Sequence, residues 1–482
     1  MQMKKFRKNK GITLIALVVT IIVLLILAGI SINMVTGQNG ILKRAGEAKR
    51  RTGEAQEREN IQVAITSAQT EDFAKESEIT DETLRKEIKN TMGSDSNLSG
   101  TGPWWYNGEK NDYIINKKGK ILEKGTLTYM YERALIDNCE NEDGTCTNPE
   151  HLHVGDYVTY NEKVIKDKEP VTIEAERTMR CVKEEEKFSQ TYSVDETTTW
   201  RVLGLNEDET EVQIISGSPI KRDGEEPYFH MDGAESYCYG EENLDRICKL
   251  YHNDEYASET RSMRTEDITR ALGITIDKEN NKAYKTTADG NRIEITSYYG
   301  DFGKTYTYKS GDHAPENWLN EKGDTTQKRK KVGDTVEGSL YSIPITEESV
   351  VKQGSVLYNM LFKATTESEN WAKSYWLASP GVHVTTSGVS FGIGEVIDGD
   401  VSAGRGNFAD FGGSLEKNAA IRPLVSLKSD ITVEQIKVTT GSEPDWETKI
   451  SNSIFRRDAG GIVDEPWYQA FHFLSRVVIL LV

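Results

Sequence analysis

An uncharged apolar run near the start of the chain restricts its fold more than any other feature. Residues 12–32 carry no charge, and 15 of these 21 residues are Ile, Leu or Val. As a helix rising about 1.5 Å per residue, the run would be about 31 Å long, which matches a hydrocarbon core of about 30 Å. The first ten residues contain five Lys or Arg and no acidic residue. Because positive flanks stay in the cytoplasm, the sequence predicts a single membrane span with residues 33–482 outside the cytoplasm.

Three kinds of N-terminal segment share this pattern: a cleaved secretory signal, a plain single-span anchor and a prepilin leader. A secretory signal has an apolar region of about 7–15 residues and ends in a small-x-small site, which residues 27–29 match poorly. The stretch KGITLIALVVTIIVLLILAGISI resembles the leader of type IV pilins and pseudopilins. This resemblance implies that a prepilin peptidase cleaves between Gly11 and Ile12 and that Ile12 becomes the methylated N-terminus.

One position departs from that family. Major pilins carry a Glu at the fifth mature position, where it pairs with the N-terminal amine of a neighbouring subunit, and this chain has Ala16 there. An unpaired carboxylate is costly in lipid, so Ala16 favours a helix that stays monomeric in the membrane. The departure argues against incorporation into a filament but not against membrane anchoring.

Composition divides the rest of the chain. A stretch rich in Ala, Glu, Lys and Arg follows the apolar run with helical spacing of its apolar residues, and aromatic strands are predicted near Trp104 and Tyr113. The composition turns acidic near residue 125. The predicted segments are a prepilin leader (1–11), a transmembrane and stalk helix (12–70), a small pilin-like α/β head (71–125), an acidic linker (126–151), a β-rich surface domain (152–430) and a C-terminal tail (431–482).

Alternating apolar and polar residues predict an antiparallel meander of strands within 155–160, 198–205 and 210–216. Helical spacing predicts a helix over 242–251. A second short helix is predicted over 264–274, with Thr265 as its N-cap and Gly273 at its end.

The cysteines predict disulfides, because an environment outside the cytoplasm oxidises thiols. Cys139 and Cys146, which have six residues between them, are predicted to form a local bridge. Cys238 and Cys248 are predicted either to form a second bridge or to be buried thiols on one side of a helix.

A metal site is the alternative use of the first cysteine pair. His151 and His153 follow it closely, but Cys-x6-Cys followed by His-x-His matches no common zinc spacing. The segment 139–150 also mimics a calcium loop, with Cys where the first Asp belongs. No metal is therefore predicted.

Five short motifs occur in order across the β-rich domain. They are Gly155-Asp156-Tyr157-Val158, Trp200-Arg201-Val202-Leu203-Gly204, Thr265-Glu266-Asp267-Ile268, Trp376-Leu377-x-Ser379-Pro380 and Ile421-Arg422-Pro423. In this order they resemble a bacterial surface domain of uncharacterised function that is found behind prepilin-type N-termini, and the closing pattern is similar to C-type-lectin-like domains. The resemblance implies an α+β fold: a long N-terminal transmembrane α-helix with a small pilin-like β-sheet, then a β-rich C-type-lectin-like domain. Trp376 is expected in the core, and Arg422 is expected to satisfy nearby carbonyls or a carboxylate.

Glycine-rich loops in such folds display residues for ligand binding, although the same loops could simply connect strands. The candidate ligand contacts are His383, Thr385, Thr386, Asp398, Asp400, Arg405, Asn407, Phe408 and Asp410.

No catalytic pattern is complete. Residues 388–392 read G-x-S-x-G, but a nucleophile elbow needs a strand–turn–helix context followed by an Asp and a His, and the only later His is His472. No enzyme activity and no cofactor are therefore predicted. A net charge of −18 also argues against a nucleic-acid partner, which needs a basic surface.

The combined prediction is a membrane-anchored, pilin-like surface protein that displays a β-rich domain for ligand binding or adhesion. Its predicted partners are the lipid bilayer, a prepilin peptidase, other pilins and an extracellular glycan or protein ligand. The alternative function is that of a structural minor pilin or pseudopilin in a type IV pilus or a type II secretion-like machine.

Overall fold

In a computed structural model, the chain forms two compact units. They are Met1–Lys124, called the smaller unit below, and Gly125–Val482, called the larger unit. The structure describes residues 21–24, 41–73, 79–139, 148–160, 169–177, 186–194, 199–217, 220, 229–231, 233–287, 290–307, 309–310, 333–344, 350–362, 374–386, 388–397, 400–402, 417–436 and 438–439.

The smaller unit combines two helices with one small antiparallel sheet. Its elements are α1 (Ile41–Phe73), α2 (Asp81–Met92), β1 (Leu98–Gly100), β2 (Trp104–Asn107), β3 (Asp112–Ile115) and β4 (Ile121–Leu122), and the sheet has the order β1-β2-β3-β4. The predicted strands around Trp104 and Tyr113 are confirmed. Thr80 caps α2, since its hydroxyl accepts a hydrogen bond from the Thr83 amide at 3.3 Å.

The core of the smaller unit comes from the second half of α1. Ile61, Ala64, Ile65 and Ala68 follow the i, i+3, i+4, i+7 spacing of one helix face, and all four are fully buried. They pack in one cluster with aromatic and aliphatic residues of α2 and the sheet. Trp104 belongs to this cluster.

The predicted transmembrane helix is not found among the described residues. Residues 21–24 are helical with exposed side chains, but α1 begins only at Ile41, after the apolar run. Within the described ranges, no helix has both the length and the apolar composition that crossing a bilayer requires. The predicted fold class, with a long N-terminal transmembrane helix, a pilin-like sheet and a C-type-lectin-like domain, is therefore wrong. The described chain is a mixed α+β protein with several small sheets. Hydropathy indicates that a segment prefers an apolar environment, and of the apolar run only residues 21–24 are among the described residues.

The larger unit holds most of the elements. Its helices are α3 (Leu127–Ile136), α4 (Gly233–Cys248), α5 (Thr265–Ala271), α6 (Val356–Phe362) and a 3-10 turn (Lys249–Tyr251). Its strands are β5 (Tyr157–Val158), β6 (Val171–Arg177), β7 (Glu186–Tyr192), β8 (Trp200–Leu205), β9 (Val212–Ser216), β10 (Phe229–Met231), β11 (Ala257–Ser262), β12 (Ile274–Asp277), β13 (Lys282–Thr286), β14 (Arg292–Glu294), β15 (Tyr299–Gly300), β16 (Thr305–Thr307), β17 (Thr335–Glu337), β18 (Tyr341–Pro344), β19 (Ser374–Val384), β20 (Val389–Ile397), β21 (Asp400–Ser402), β22 (Lys417–Ala419), β23 (Pro423–Leu427) and β24 (Val438–Thr439).

A six-stranded antiparallel sheet, in the order β11-β23-β9-β8-β5-β24, lies at the centre of the larger unit. Side chains alternate between its two faces, so Val202 and Ile214 enter one core cluster while Leu203 and Ile215 enter another. Helices α3 and α4 contribute to the first cluster, and α5 and α6 contribute to the second. Because both faces are covered, strands such as β9 are buried along their whole length. The predicted meander is confirmed, since β5, β8 and β9 are neighbours in this sheet.

The segment predicted as an acidic linker, 126–151, contains the helix α3. Leu127 and Met130 of this helix are buried in the first core cluster. The helix ends in a left-handed turn, where Asn138 has a φ of 50° and the Cys139 amide donates to the Ala134 carbonyl at 3.0 Å. This turn determines where Cys139 lies.

Candidate functional site

The five sequence motifs build the buried scaffold of the larger unit. The first two form the β5–β8 pair, in which Tyr157 lies opposite Arg201 and Val158 opposite Trp200. The third and fourth motifs touch, because the Thr265 amide donates to Ser379 Oγ at 2.9 Å.

Trp376 and Arg422 are structural, as predicted. The Trp376 indole is fully buried and donates to the Phe229 carbonyl at 2.7 Å. The fully buried Arg422 donates to the carbonyls of Met360 at 2.8 Å and Ser216 at 2.5 Å. Burial lowers the pKa of Arg422 from its ordinary value, partly offset by the nearby Tyr375 ring.

The cap of α5 differs from the prediction. Arg264 is the N-cap residue rather than Thr265, and the Asp267 carboxylate accepts the Arg264 amide at 2.8 Å. Asp267 is buried and also accepts a bidentate pair of hydrogen bonds from Arg261, at 2.6 and 2.8 Å. The Asp267 carboxylate therefore caps the helix instead of the Thr265 hydroxyl. It accepts hydrogen bonds from the amide at the helix end and from the buried Arg261 guanidinium. Gly273 follows the helix end with a φ of 66°, as predicted.

A second sheet of the larger unit, in the order β15-β18-β21-β20-β19, curls back on itself. Ser339 and Leu340, just before β18, both donate backbone hydrogen bonds to the Val382 carbonyl of β19 at 3.0 Å. The Leu340 carbonyl accepts the Asp301 amide at 2.9 Å. The end of β15 and the end of β19 are thereby brought together, although they are edge strands of the same sheet.

Four polar side chains meet at this closure, and we call them the His383 cluster: Tyr299, Asp301, Lys304 and His383. The Asp301 carboxylate is fully buried and accepts from Tyr299 Oη at 2.8 Å and from Lys304 Nζ at 2.5 Å on one oxygen. Its other oxygen accepts from His383 Nδ1 and from the Val384 amide, the latter at 3.2 Å. Four donors match the four lone-pair positions of a carboxylate, so Asp301 is fully satisfied.

The charge of Asp301 is stabilised within the cluster. Burial alone would favour the neutral acid, but hydrogen bonds from Lys304, His383 and Tyr299 outweigh burial and lower the pKa of the carboxyl. Burial opposes the charge of Lys304 as well, yet its hydrogen bonds to Asp301 and Tyr299 raise the pKa of the ammonium. Burial and the hydrogen bond to Asp301 raise the pKa of the Tyr299 phenol. The cluster therefore keeps a charged Asp–Lys pair and a neutral phenol at neutral pH.

Asp301 orients its neighbours, while those neighbours reach solvent. Tyr299 and the Lys304 side chain are each 42% exposed, and the His383 side chain is 28% exposed. The Lys304 ammonium lies 4.7 Å from the centroid of the Tyr299 ring, and the His383 ring meets the same ring edge-on at 6.0 Å. The surface thus combines an aromatic ring with nitrogen and oxygen donors that a buried carboxylate holds in place.

The β19–β20 hairpin loop adds two predicted contacts beside the cluster. The Thr385 amide donates to the Gly388 carbonyl at 2.9 Å, and the Gly388 amide returns to Thr385 Oγ1 at 3.1 Å. Thr385 and Thr386 are exposed at this turn. Three predicted ligand contacts, counting His383, therefore lie within four residues of each other.

The other predicted ligand contacts are described only in part. The backbone of Asp400 lies in β21, opposite Pro344 and Ile397. The candidates outside the described residues are Asp398, Arg405, Asn407, Phe408 and Asp410. Gly11 and Ile12 of the predicted cleavage site also lie outside the described residues.

The cysteine predictions have different outcomes. Cys248 is a free, fully buried thiol, so the Cys238–Cys248 bridge is wrong and the buried-thiol alternative holds for Cys248. Burial raises the pKa of this thiol well above its ordinary value. Cys139 is disulfide-bonded, and Cys146 lies outside the described residues.

Sequence reasoning missed Asp301, Lys304 and Tyr299. They lie about 80 residues before His383, in a polar stretch without a recognisable pattern. The G-x-S-x-G stretch at 388–392, in turn, runs into β20 rather than into a helix. The one local signal is the segment 299–304, Tyr-Gly-Asp-Phe-Gly-Lys, which places two aromatic residues among turn glycines.

No protein-family model matches the chain, and no curated protein or solved structure matches it either. The resemblance to pilins and to a bacterial surface domain therefore stays a prediction.

Proposed function

We propose that the chain is a surface protein, tethered through its N-terminal segment, whose larger unit binds an extracellular glycan at the His383 cluster without turning it over. The His383 cluster is the observation that carries this proposal. Its exposed aromatic ring, ammonium, imidazole and two neighbouring Thr hydroxyls are the groups that recognise a polyhydroxylated ligand.

Preorganisation supports a binding role. A ligand loses affinity when side chains must be ordered on binding, at about 0.5–1.5 kcal/mol for each flexible side chain. Here Asp301 already holds Tyr299, Lys304 and His383 before any ligand arrives. The proposed mode of action is therefore presentation of a preformed polar surface outside the cell.

The targeting part of the proposal rests on the sequence. Five positive residues before an uncharged run of 21 residues favour export with the bulk of the chain outside. N-terminal mass spectrometry of the mature protein tests this part. A methylated Ile12 supports the prepilin route, whereas an intact Met1 on a chain recovered in the cytoplasm would refute export.

Binding is tested with the purified full-length chain on a glycan array. We expect selective glycan retention that falls at least about tenfold in Lys304→Gln, because that change removes the ammonium charge from the cluster. Lys282→Gln is the matched control, since Lys282 also pairs with one carboxylate, Glu294, but at an exposed site on β13. Equal glycan retention by Lys304→Gln and Lys282→Gln would refute the His383 cluster as the binding site. Catalytic turnover of a retained glycan would refute a function limited to binding.

A different observation distinguishes the alternative function, that of a structural minor pilin or pseudopilin, from glycan binding. A minor pilin or pseudopilin would co-purify with sheared filaments, and its function would be indifferent to Lys304→Gln. A protein ligand is the remaining outcome, and it would appear as cell adhesion that survives removal of surface glycans.

A further inference from the structure

A second polar cluster lies at the end of α3 and shares no residue with the His383 cluster. Cys139, His151 and His153 each place one possible ligand atom so that the three atoms lie within 4.8 Å of one another. In a tetrahedral zinc site with bonds of about 2.0–2.3 Å, ligand atoms are about 3.3–3.8 Å apart. A contraction of about 1 Å would therefore bring these atoms to zinc-binding distances.

The fold, rather than spacing along the chain, brings these residues together. The left-handed turn at Asn138 directs the chain at Cys139. Leu152 is buried in the first core cluster and holds the two flanking histidines beside each other, with ring centroids 5.9 Å apart. The Cys-x6-Cys and His-x-His spacing, which fits no common zinc motif, is thus compatible with a site assembled by tertiary packing.

His153 provides the strongest indication that this cluster can bind a ligand. The residue is 5% exposed, and neither of its ring nitrogens makes a hydrogen bond. Buried polar atoms without a partner are rare in proteins, because the loss of their hydrogen bonds to water is not compensated. A cation bound to one of these nitrogens would compensate for that loss.

Two carboxylates lie in the outer shell that metal-binding histidines require. His151 Nε2 lies 3.0 Å from Asp137 Oδ2, and His153 Nδ1 lies 3.5 Å from the buried Asp156 carboxylate. A carboxylate on one ring nitrogen fixes the tautomer and leaves the opposite nitrogen as the metal ligand. His151 shows this arrangement, whereas His153 lies near the Asp156 carboxylate without a hydrogen bond to it.

The disulfide at Cys139 makes the site conditional, because only a thiolate binds a metal. We propose that reduction of this disulfide converts Cys139, His151 and His153 into a Zn²⁺ site, so that the chain binds zinc only in its reduced state. The reductant is a dithiol. One of its thiolates attacks the protein disulfide, which releases one protein thiolate and forms a mixed disulfide, and its second thiolate then attacks the mixed disulfide and releases the other protein thiolate. The protein gains two electrons and two protons as two thiols, and the dithiol becomes a disulfide. Zn²⁺ then replaces the proton on Cys139 Sγ, which passes to water, and binds both imidazoles in their neutral form.

Zinc content of the full-length chain tests this proposal. The oxidised chain and a chain reduced with a phosphine, which competes weakly for zinc, are equilibrated with Zn²⁺ and freed of excess metal. We expect about one zinc per reduced chain and less than about a tenth of that in the oxidised chain. Equal zinc in both states, or none in the reduced state, would overturn the proposal without recourse to any variant.

Variants and Co²⁺ identify the ligands. In the reduced chain, Co²⁺ should give a thiolate-to-metal charge-transfer band that Cys139→Ser abolishes, and His153→Gln should weaken binding at least about tenfold. Asp137→Asn should weaken it by about 10–100-fold, as expected of an outer-shell partner. His252→Gln is the matched control, because His252 Nε2 also lies 3.0 Å from a carboxylate, that of Asp254, but outside the cluster. Zinc retained by Cys139→Ser would show adventitious binding and overturn the assignment.

Discussion

A substitution of Asp301 tests the His383 cluster, because loss of the carboxylate should destabilise the larger unit. Asp301→Asn keeps the size of the side chain but replaces one acceptor oxygen with a donor. An amide oxygen accepts about two hydrogen bonds, whereas four donors converge on Asp301. At least two donors therefore lose their acceptor in the variant.

The size of the effect follows from those losses. A hydrogen bond to a charged group contributes about 1.5–3 kcal/mol, so two of them would contribute about 3–6 kcal/mol. Lys304 is 42% exposed and can turn to water, which reduces the expected loss to about 2–3 kcal/mol. At an unfolding entropy of about 2.1 cal/mol/K per residue, that loss lowers the Tm of the larger unit, Gly125–Val482, by roughly 3–4 °C.

The lowered pKa of Asp301 determines how its contribution to stability changes with pH. The pKa of folded Asp301 lies below its ordinary value of 3.8, so its charged interactions stabilise the fold fully above that value. Their contribution is lost as the pH falls through the lowered pKa. The difference in Tm between wild type and Asp301→Asn should thus be present at pH 5 and shrink as the pH falls below about 3.8.

Thermal unfolding monitored by circular dichroism between pH 7 and pH 3 measures this difference. Asp277→Asn is the matched control, because hydrogen bonds from Asn280 lower the pKa of Asp277 as well, but at an exposed site. We expect the control to change Tm little. A variant as stable as wild type at pH 7, or a difference that persists unchanged at pH 3, would refute the argument.

Three further substitutions or treatments test other parts of the larger unit. Arg422→Met leaves two buried carbonyls without their donor and should lower the free energy of unfolding by about 2–5 kcal/mol in urea titrations; a loss under 1 kcal/mol would contradict the role of Arg422. Gly338→Ala would place a Cβ 2.3 Å from the Asp301 carbonyl, so it should cost about 1–3 kcal/mol and weaken glycan retention as well. Cys248 is buried with a raised thiol pKa, so iodoacetamide at pH 7.5 should alkylate it only after unfolding, as mass spectrometry would show; rapid labelling of the native chain would contradict its burial.

The sequence predicted the local elements well because their signals are local. Apolar spacing identified the buried face of α1 at Ile61, Ala64, Ile65 and Ala68, and alternation identified β8 and β9. Buried single residues such as Trp376 and Arg422 were also predicted correctly, because a large apolar ring and a guanidinium next to a strand have few stable environments.

The predictions that were wrong or incomplete concern features that depend on residues distant in the sequence. The cap of α5 was assigned to Thr265, since the sequence does not show that Asp267 meets Arg261 across a turn. The bridge to Cys248 was wrong because a pair of cysteines in sequence carries no distance. The His383 cluster was found only through His383, since closure of the curled sheet joins it to residues about 80 positions earlier.

The positions of the five motifs in the fold limit what their resemblance to a bacterial surface domain implies about ligand binding. All five contribute to the two core clusters or to the hydrogen bonds between their strands, whereas the His383 cluster contains no motif residue. A set of motifs that specifies a buried scaffold constrains packing, and it leaves the exposed groups free to differ between proteins that share the scaffold. Any ligand must therefore be inferred from Tyr299, Lys304 and His383 themselves. For the same reason, a protein with the same five motifs but without an acid at the position of Asp301 should keep the fold and lose this binding surface.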